Sequence, residues 1–262
     1  MAQPIITLTT DFGLSDHFAG AMKGVILSIA PRARIVDITH AVTPFEVIEG
    51  AFTIAQAYRY FPEKTVHVVV VDPGVGSSRR PILAEAAGQF FVAPDNGVLF
   101  MVLEKENHKV RAVTAERYFL KNPSSTFHGR DIFAPIAAHL ANGVAPSRFG
   151  KLIQDYHRGF PTAPSRIGRR IWSGTVLKVD HFGNLITNLE THEFPQLWLR
   201  PFELSVGTRK ITRIAKTFAE AEPGEPVLVP GSCGFLEVAV NQGSAARLLG
   251  CAAGSPVELA IY

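Results

Sequence analysis

The amino-acid sequence predicts an α/β protein with an N-terminal α/β domain, built on a central and mostly parallel sheet, and a smaller C-terminal antiparallel β-barrel. Strand and helix patterns alternate through the first part of the chain, which is typical of βαβ units. A stretch rich in Pro, Arg and Gly follows at residues 154–170, as expected of a domain boundary. Short strands with frequent turns continue from there to the C-terminus. We therefore expect domains at residues 1–160 and 170–262.

The chain opens with a predicted strand, helix and strand. Residues 5–9 are apolar or β-branched, which indicates a first strand. Residues 18–29 carry apolar side chains at helical spacing, with Ser15 as the predicted N-cap and Pro31 as the stop. Residues 34–38 form the second predicted strand.

A second helix and a third strand follow. The sequence Thr-Pro-Phe-Glu at residues 43–46 fits a capping box with proline at the first helical position, and predicts a helix to about Phe61. Residues 66–71 are valines with one histidine among them, a composition typical of a strand buried on both faces of a parallel sheet. Further strand patterns lie at residues 81–87, 89–94 and 110–113.

Acidic residues follow two of these strands directly. Asp11 comes after the first strand and Asp72 after the third, at the carboxyl edge where open α/β sheets place their ligands. Arg79 and Arg80 follow Asp72 in a glycine-rich loop, and a guanidinium paired with that carboxylate would keep it ionised and oriented. A structural ion pair on a surface turn accounts for the local sequence equally well.

Two further side chains of the first domain are candidates for a site. His128 lies at or just before a helix predicted over residues 131–140, where the positive end of the helix dipole disfavours protonation. A loop histidine bonded to a backbone carbonyl is the commoner outcome. Phe45 lies at a helix start beside the loop after the second strand, and such a residue is more often a packing residue than a stacking platform.

The second domain contains one polar turn of interest. Asp180, Phe182 and Asn184 surround Gly183 between two predicted strands. Because Asn and Gly form turns in many contexts, a turn with only a structural role is the more common case.

Composition limits the classes of function. A chain of 262 residues that is 47% hydrophobic can bury a large core, and a formal net charge of +3 with dispersed Lys and Arg does not indicate a nucleic-acid partner. Cys233 and Cys251 form neither a metal-ligand pattern nor a disulfide framework, which favours a reducing compartment. With no signal-peptide pattern and no apolar run long enough for a bilayer, we expect a cytoplasmic protein without a membrane partner.

Common motifs for cofactors and nucleophiles do not occur in the sequence. There is no GxGxxG after the first strand, no GxxxxGK[ST], no HExxH and no GxSxG, which weighs against dinucleotide, P-loop, zincin and α/β-hydrolase sites. No metal is predicted, because the carboxylates and histidines lack ligand spacing. The DPGVG loop resembles the acidic glycine-rich loop of methyltransferases, but it follows the third strand and precedes two arginines.

Six motifs in order carry a more specific resemblance. The chain resembles the S-adenosyl-L-methionine (SAM) hydroxide adenosyltransferase family, also called SAM hydrolases, and at greater distance the SAM-dependent fluorinase and chlorinase. The motifs are TTDFG at 9–13, DITHAVTPFEVIEGA at 37–51, VDPGVGSSRR at 71–80, STFHGRD at 125–131, DHFGN at 180–184 and SCGFLEVAVNQGSAA at 232–246.

This resemblance implies a fold, an assembly and a reaction. The family has an N-terminal α/β domain and a C-terminal β-barrel, forms homotrimers, and binds SAM between the N domain of one subunit and the C domain of the next. The implied reaction is attack of water or hydroxide on the ribose 5′ carbon of SAM, which releases adenosine and L-methionine. SAM is the substrate, and no cofactor is implied.

The resemblance also implies roles for individual residues. Asp72 and His128 would orient and polarise the water, while Arg79 would keep Asp72 ionised and stabilise hydroxide character. Asp11 would grip the two ribose hydroxyls. Further substrate contacts are implied to the nucleoside at Phe45, Phe182, Asn184 and Phe218, to the methionine ammonium at Asp180 with Asp16 as a weaker candidate, and to the methionine carboxylate at Ser232.

Departures from the halogenating relatives favour hydroxide over halide. Asp72, Gly129 and Val75 stand where the fluorinase has tyrosine, serine and threonine, and a buried acid repels a halide. Cys233 stands where the fluorinase has an arginine that reaches the methionine carboxylate, so a backbone amide is the expected substitute. A SAM-dependent halide adenosyltransferase, a methyltransferase and a non-catalytic protein that binds SAM or adenosine are the alternatives.

Overall fold

The chain folds into two compact units, 1–160 and 161–262, of which the computed structural model describes residues 3–160 and 162–262. The first unit is built on a mixed sheet with a parallel centre, and the second on a nearly closed antiparallel sheet. The predicted fold class is confirmed. Among the described residues, no helix combines the length and the apolar character that crossing a bilayer requires.

Seven strands of the first unit form one sheet in the order β2-β1-β3-β5-β4-β6-β7. They are β1 Ile5–Thr10, β2 Arg34–Thr39, β3 Val66–Val70, β4 Pro81–Ala86, β5 Gln89–Pro94, β6 His108–Ala112 and β7 Leu152–Ile153. The first four in this order are parallel, and the last three pair antiparallel. Thr10 pairs with Val70, and Thr9 with Thr39, so the chain leaves β1, β2 and β3 at the same edge.

Helices cover both faces of this sheet, because a buried parallel sheet needs apolar layers on each side. The helices are α1 Phe18–Ile29, α2 Val47–Ala57, α3 Phe100–Leu103 and α4 Ala134–Ala141, with a π-helical turn at Gly129–Phe133 and 3₁₀ turns at Tyr58–Tyr60, Glu116–Tyr118 and Pro146–Arg148. The core against α1 and α4 includes Ile6, Leu8, Met22, Ile26, Val66, Val68, Phe133 and Ile136.

The histidine inside β3 is a core residue. His67 is fully buried, its Nδ1 lies 2.7 Å from Thr7 Oγ1, and its Nε2 lies 3.0 Å from Gln89 Oε1. Burial lowers the pKa of His67 to about 4. Both ring nitrogens therefore have partners, and the ring is neutral at physiological pH.

Two predicted helix starts are wrong. Helix α1 begins at Phe18 with His17 as its N-cap, so Ser15 does not cap it. Helix α2 begins at Val47, and the capping box at residues 43–46 does not form. Phe45 instead adopts a left-handed backbone with φ of 71°, and the Thr43 amide donates to the Glu49 carboxylate at 3.2 Å.

Eight strands of the second unit form an antiparallel sheet that almost closes on itself. The strands are β8 Ser165–Gly168, β9 Ile171–Val179, β10 Leu185–Glu190, β11 Phe202–Val206, β12 Arg209–Ile211, β13 Pro226–Pro230, β14 Phe235–Val240 and β15 Pro256–Ile261. Their order is β12-β11-β15-β9-β10-β14-β13, with β8 paired to β9. A bridge between Ile214 and Leu228 joins the segment after β12 to β13, so the two edges of the sheet meet.

Short helical segments complete this unit. They are α5 Ala245–Leu249 and 3₁₀ turns at Thr191–Glu193, Pro195–Trp198 and Phe218–Glu220. The barrel interior is apolar and includes Leu185, Leu204, Leu228, Leu236, Val238 and Leu259.

Candidate active site

The loop after β3 places Asp72 at the carboxyl edge of the first sheet. The loop is held by a hydrogen bond from the Val75 amide to the Asp72 carbonyl at 3.2 Å. Gly76 has φ of 79°, and a Cβ at this position would lie 2.5 Å from the carbonyl oxygen of Ser125. A glycine is therefore required here, because any side chain would push apart the two loops that carry Asp72 and His128.

Asp72, Arg79 and His128 form one connected group. Arg79 Nε donates to Asp72 Oδ1 at 2.9 Å, and Nη2 donates to Asp72 Oδ2. Nη2 also lies 2.8 Å from His128 Nδ1. The side chains of Arg79 and Asp72 are only 8% and 5% exposed, so this bidentate pair is shielded from water.

The arginine fixes the proton position on His128. A guanidinium has donors only, so His128 Nδ1 must be the acceptor of this bond. Burial, together with the nearby Arg79 charge, lowers the pKa of His128. The neutral ring then carries its proton on Nε2, which makes His128 a hydrogen-bond donor and leaves the Asp72 carboxylate as the acceptor.

The neighbouring arginine has different partners. Arg80 Nε donates to Asp95 at 2.8 Å, and its Nη2 donates to the Asp155 carbonyl at 2.8 Å. Arg79 and Arg80 thus bond different carboxylates. Of the two arginines, only Arg79 contacts Asp72 and His128.

Asp11 and Phe45 meet beside this group. Asp11 Oδ2 accepts a hydrogen bond from the Phe45 amide at 2.9 Å, which accounts for the left-handed backbone of Phe45. The Phe45 side chain is 71% exposed. The pKa of Asp11 is raised, chiefly because the carboxyl group is partly buried. The nearby Asp72 charge also raises this pKa, whereas the hydrogen bond from the Phe45 amide lowers it.

A cavity of about 290 Å³ joins these residues. Asp11, Phe45, Asp72 and His128 line it, and Arg79 lies behind Asp72. The remaining wall is largely apolar and includes Phe12, Phe18, Val70, Val75 and Phe127. Such a cavity, apolar with a few convergent polar groups, is typical of a small-molecule site.

Asp16 does not line this cavity. It lies in an exposed bend before α1. The structure therefore brings the other predicted residues of the first unit together, and leaves Asp16 apart from them.

The polar turn of the second unit is held by Asp180. Its Oδ1 accepts from the amides of Phe182 and Asn184 at 2.9 and 2.8 Å, and its Oδ2 accepts from Asn184 Nδ2 at 2.8 Å. Gly183 has φ of 88°, and a Cβ there would lie 2.1 Å from Ser244 Oγ. The turn is therefore rigid, and the Phe182 ring is left 75% exposed.

A second cavity, of about 790 Å³, lies beside this turn. All the predicted residues of the second unit line it, namely Asp180, Phe182, Asn184, Phe218 and Ser232. Phe218 is 54% exposed. Two exposed rings on one cavity are suited to stacking on a flat ligand.

Sequence reasoning missed Glu237 in this cavity. It is half-buried in β14, and burial together with the Asp180 charge raises the pKa of its carboxyl group. Its only sequence signal is an acid inside an apolar strand. Cys233 is partly buried, and burial raises the pKa of its thiol.

Within residues 3–160 and 162–262, no three His, Cys, Asp or Glu side chains converge in a way that could hold a metal ion.

Comparison with known proteins identifies the family. The SAM hydroxide adenosyltransferase N-terminal domain matches residues 6–150, and the C-terminal domain of the same family matches residues 174–258. The (R)-S-adenosyl-L-methionine hydrolase of Salinispora arenicola is 38% identical, with 98% of this chain and 97% of the relative covered. A fluorinase of Actinoplanes sp. is 31% identical, with 91% of each chain covered.

A solved structure agrees with these matches. The crystal structure of an uncharacterized conserved protein from Thermotoga maritima superposes with a TM-score of 0.90 at 41% identity, and covers 97% of this chain and 99% of that one. The predicted resemblance is confirmed: with both family domains present in order, the chain belongs to the SAM hydroxide adenosyltransferase family.

Proposed function

We propose that the protein hydrolyses SAM to adenosine and L-methionine by attack of water on the ribose 5′ carbon. The observation that carries this proposal is the hydrogen-bonded Asp72–Arg79–His128 group at the wall of a small cavity. It presents one acceptor and one donor, which is what a single water molecule needs to be oriented and polarised. The hydrolase name of a relative that is 38% identical over nearly the whole chain supports the same reaction.

The chemical step needs little beyond a well-placed nucleophile. The water oxygen forms a bond to C5′, and the C5′–S bond breaks with its electron pair going to sulfur. Methionine leaves as a neutral thioether, so no acid is needed to protonate it. The water proton passes to the Asp72 carboxylate and from there to solvent, while the Nε2–H of His128 donates to the oxygen as it gains hydroxide character.

Arg79 has an indirect role in this scheme. It lies behind Asp72, and its bidentate bond holds the carboxylate in one orientation. Its bond to Nδ1 keeps the donor proton of His128 on the cavity-facing nitrogen. Arg79 therefore sets the hydrogen-bond directions of the pair that contacts water.

The substrate contacts fall into two groups. Asp11 binds the ribose hydroxyls and Phe45 packs on the nucleoside in the first unit. In the second unit, the adenine is held by Phe182, Asn184 and Phe218, and the methionine part by Asp180 and Ser232. Asp180 already accepts three internal hydrogen bonds, so it attracts the methionine ammonium mainly through its charge.

We also infer a homotrimer, in which first-unit residues of one subunit and second-unit residues of another bind the same SAM molecule. This assembly rests on the family resemblance. The rings of Phe45, Phe182 and Phe218 are exposed, so they are accessible to a ligand that stacks on them.

A halide substrate fits the first cavity less well. The Asp72 carboxylate would repel an anion. A Cβ at Gly129 would lie 3.2 Å from the Phe12 ring and 3.3 Å from Met22 Sδ, so the serine of the fluorinase would be crowded here. Water, which can donate a hydrogen bond to this carboxylate, is the nucleophile that the site favours.

Product analysis tests the proposal. Purified protein incubated with SAM should release adenosine and methionine in equal amounts, with no dependence of the rate on added chloride or fluoride. Formation of S-adenosylhomocysteine would identify a methyltransferase instead. Unchanged SAM, with adenosine or SAM still bound, would identify a binding protein.

A further inference from the structure

A chain of polar side chains lies behind Asp11 and takes no part in the scheme above. Thr10 Oγ1 lies 2.8 Å from His40 Nδ1, and both side chains are almost fully buried. His40 Nε2 lies 3.1 Å from Asp37 Oδ1, and Asp37 Oδ2 accepts from Lys23 Nζ at 2.6 Å. Four residues on β1, β2, the loop after β2 and α1 are thus connected from the core to the surface.

The charged residues in this row of side chains hold the His40 ring in place. Burial opposes ionisation of Asp37, but the hydrogen bond from Lys23 and the close contact with His40 lower the pKa of its carboxyl group overall. An ionised Asp37 faces His40 Nε2 in a close contact that is not a well-aligned hydrogen bond. The better-aligned partner of the ring is Thr10 Oγ1, so the ring links the charged surface pair to the end of β1.

Backbone hydrogen bonds extend this chain to the substrate side. The Gly13 amide donates to the His40 carbonyl at 2.7 Å, and the Phe12 amide donates to Thr10 Oγ1 at 3.2 Å. Asp11 lies between these anchored positions. The loop that contains His40 leads on to Phe45, whose amide donates to the Asp11 carboxylate. The His40 side chain thus bonds the end of β1, its backbone carbonyl bonds the loop after β1, and His40 does not line the cavity.

We propose that His40 is a positioning residue for the nucleoside part of the substrate, held by Asp37 and acting through Thr10 on Asp11 and Phe45. The inference rests on the proposed function of Asp11. The left-handed backbone of Phe45 makes such support necessary, because this conformation is unfavourable for a bulky residue and persists only where surrounding contacts fix it.

Kinetics of His40 variants test this role. His40→Ala should raise KM for SAM roughly tenfold, the cost of about one lost buried hydrogen bond, while kcat stays within about twofold. The reason for this split is that Asp72, Arg79 and His128 lie on other loops. His40→Asn places an amide near the former Nδ1, so it should restore part of the affinity.

His67→Ala is the matched control. His67 is an equally buried histidine of the same sheet, bonded to Thr7 and Gln89 instead of the Asp11 loop. Its removal should lower the melting temperature without raising KM. If His40→Ala leaves KM unchanged, or if His67→Ala raises KM as much, His40 has only a structural role and the proposal is wrong.

Adenosine binding separates this proposal from the proposed function. Titration calorimetry with adenosine should show the same weakening in His40→Ala, and it does not require turnover. Wild-type protein that binds adenosine but does not cleave SAM would overturn the hydrolase proposal alone. Adenosine binding by His40→Ala and His67→Ala would then still show whether His40 positions the nucleoside site. Wild-type protein that binds neither compound would overturn both. If His40→Ala does not fold, His40→Asn against His40→Leu gives the same comparison.

Discussion

Arg79 Nη2 lies 2.8 Å from Nδ1 of His128, and because arginine cannot accept a hydrogen bond, this contact makes His128 a donor toward the cavity. The histidine is therefore not positioned to act as the base for the attacking water. Proton acceptance falls to Asp72, which the same guanidinium holds in place.

This assignment predicts different effects for two His128 variants. Glutamine can place an amide N–H near the position of Nε2, whereas leucine cannot donate at all. We expect His128→Leu to lower kcat on the order of 100-fold or more, as for loss of an oxyanion donor, and His128→Gln to lose much less. Steady-state kinetics at saturating SAM measure both. Equal inactivation of the two variants would argue for a histidine base.

The pH dependence of kcat follows from the lowered pKa of His128. Burial and the Arg79 charge place that pKa below the ordinary value of 6.5. Protonation of Nδ1 would end the bond from Arg79 and set two cations together. At saturating SAM, kcat should therefore hold steady as the pH falls through 6.5 and should decline only below it. An acid limb centred at or above 6.5 that His128→Gln removes would contradict this account.

Substitution of the two strand-end carboxylates should affect different steps: Asp72 the chemical step, and Asp11 the binding of the nucleoside. Asp72→Asn removes the proton acceptor while keeping the size of the side chain, so we expect adenosine release to fall on the order of 1,000-fold with SAM affinity largely kept. Asp11→Asn should instead weaken SAM and adenosine binding by roughly ten- to a hundredfold, through lost charged hydrogen bonds. Calorimetry and single-turnover kinetics distinguish the two effects. An unaltered nucleoside affinity in Asp11→Asn would undo the ribose assignment.

Mixed subunits test the proposed assembly. Asp72→Ala and Asn184→Ala each damage one of the two groups of residues. If one SAM contacts two subunits, coexpression of the two variants should restore roughly a quarter of the wild-type sites by random mixing. A mixture no more active than its separate variants would mean that each site is built from a single subunit. Light scattering on the same samples gives the subunit number.

Local sequence was sufficient to predict the strand-end acids. Asp11 and Asp72 follow buried β-branched runs, and parallel pairing of β1 with β3 brings their positions together. The turn at Asp180 was equally predictable, because Asn and Gly after an acid form such turns in many contexts.

Long-range contacts decided what local patterns could not predict. The capping box at residues 43–46 fails because the Phe45 amide bonds Asp11, 34 residues away, and this bond requires a backbone that no helix start allows. Local patterns do not distinguish the two adjacent arginines, whereas the structure separates them by their distant partners, since Arg80 bonds Asp95 and Asp155. The position of Glu237 on the wall of its cavity follows from the folded barrel, because its neighbours along the strand are apolar and do not mark it as a site residue.

Isotopic labelling tests the central claim, attack of water at the 5′ carbon, most directly. The protein is incubated with SAM in ¹⁸O-labelled water, and the products are analysed by mass spectrometry. The account predicts one labelled oxygen in the 5′-hydroxyl of adenosine and none in the released methionine. Adenosine without the label would mean that another nucleophile or another bond is involved, and would contradict the mechanism.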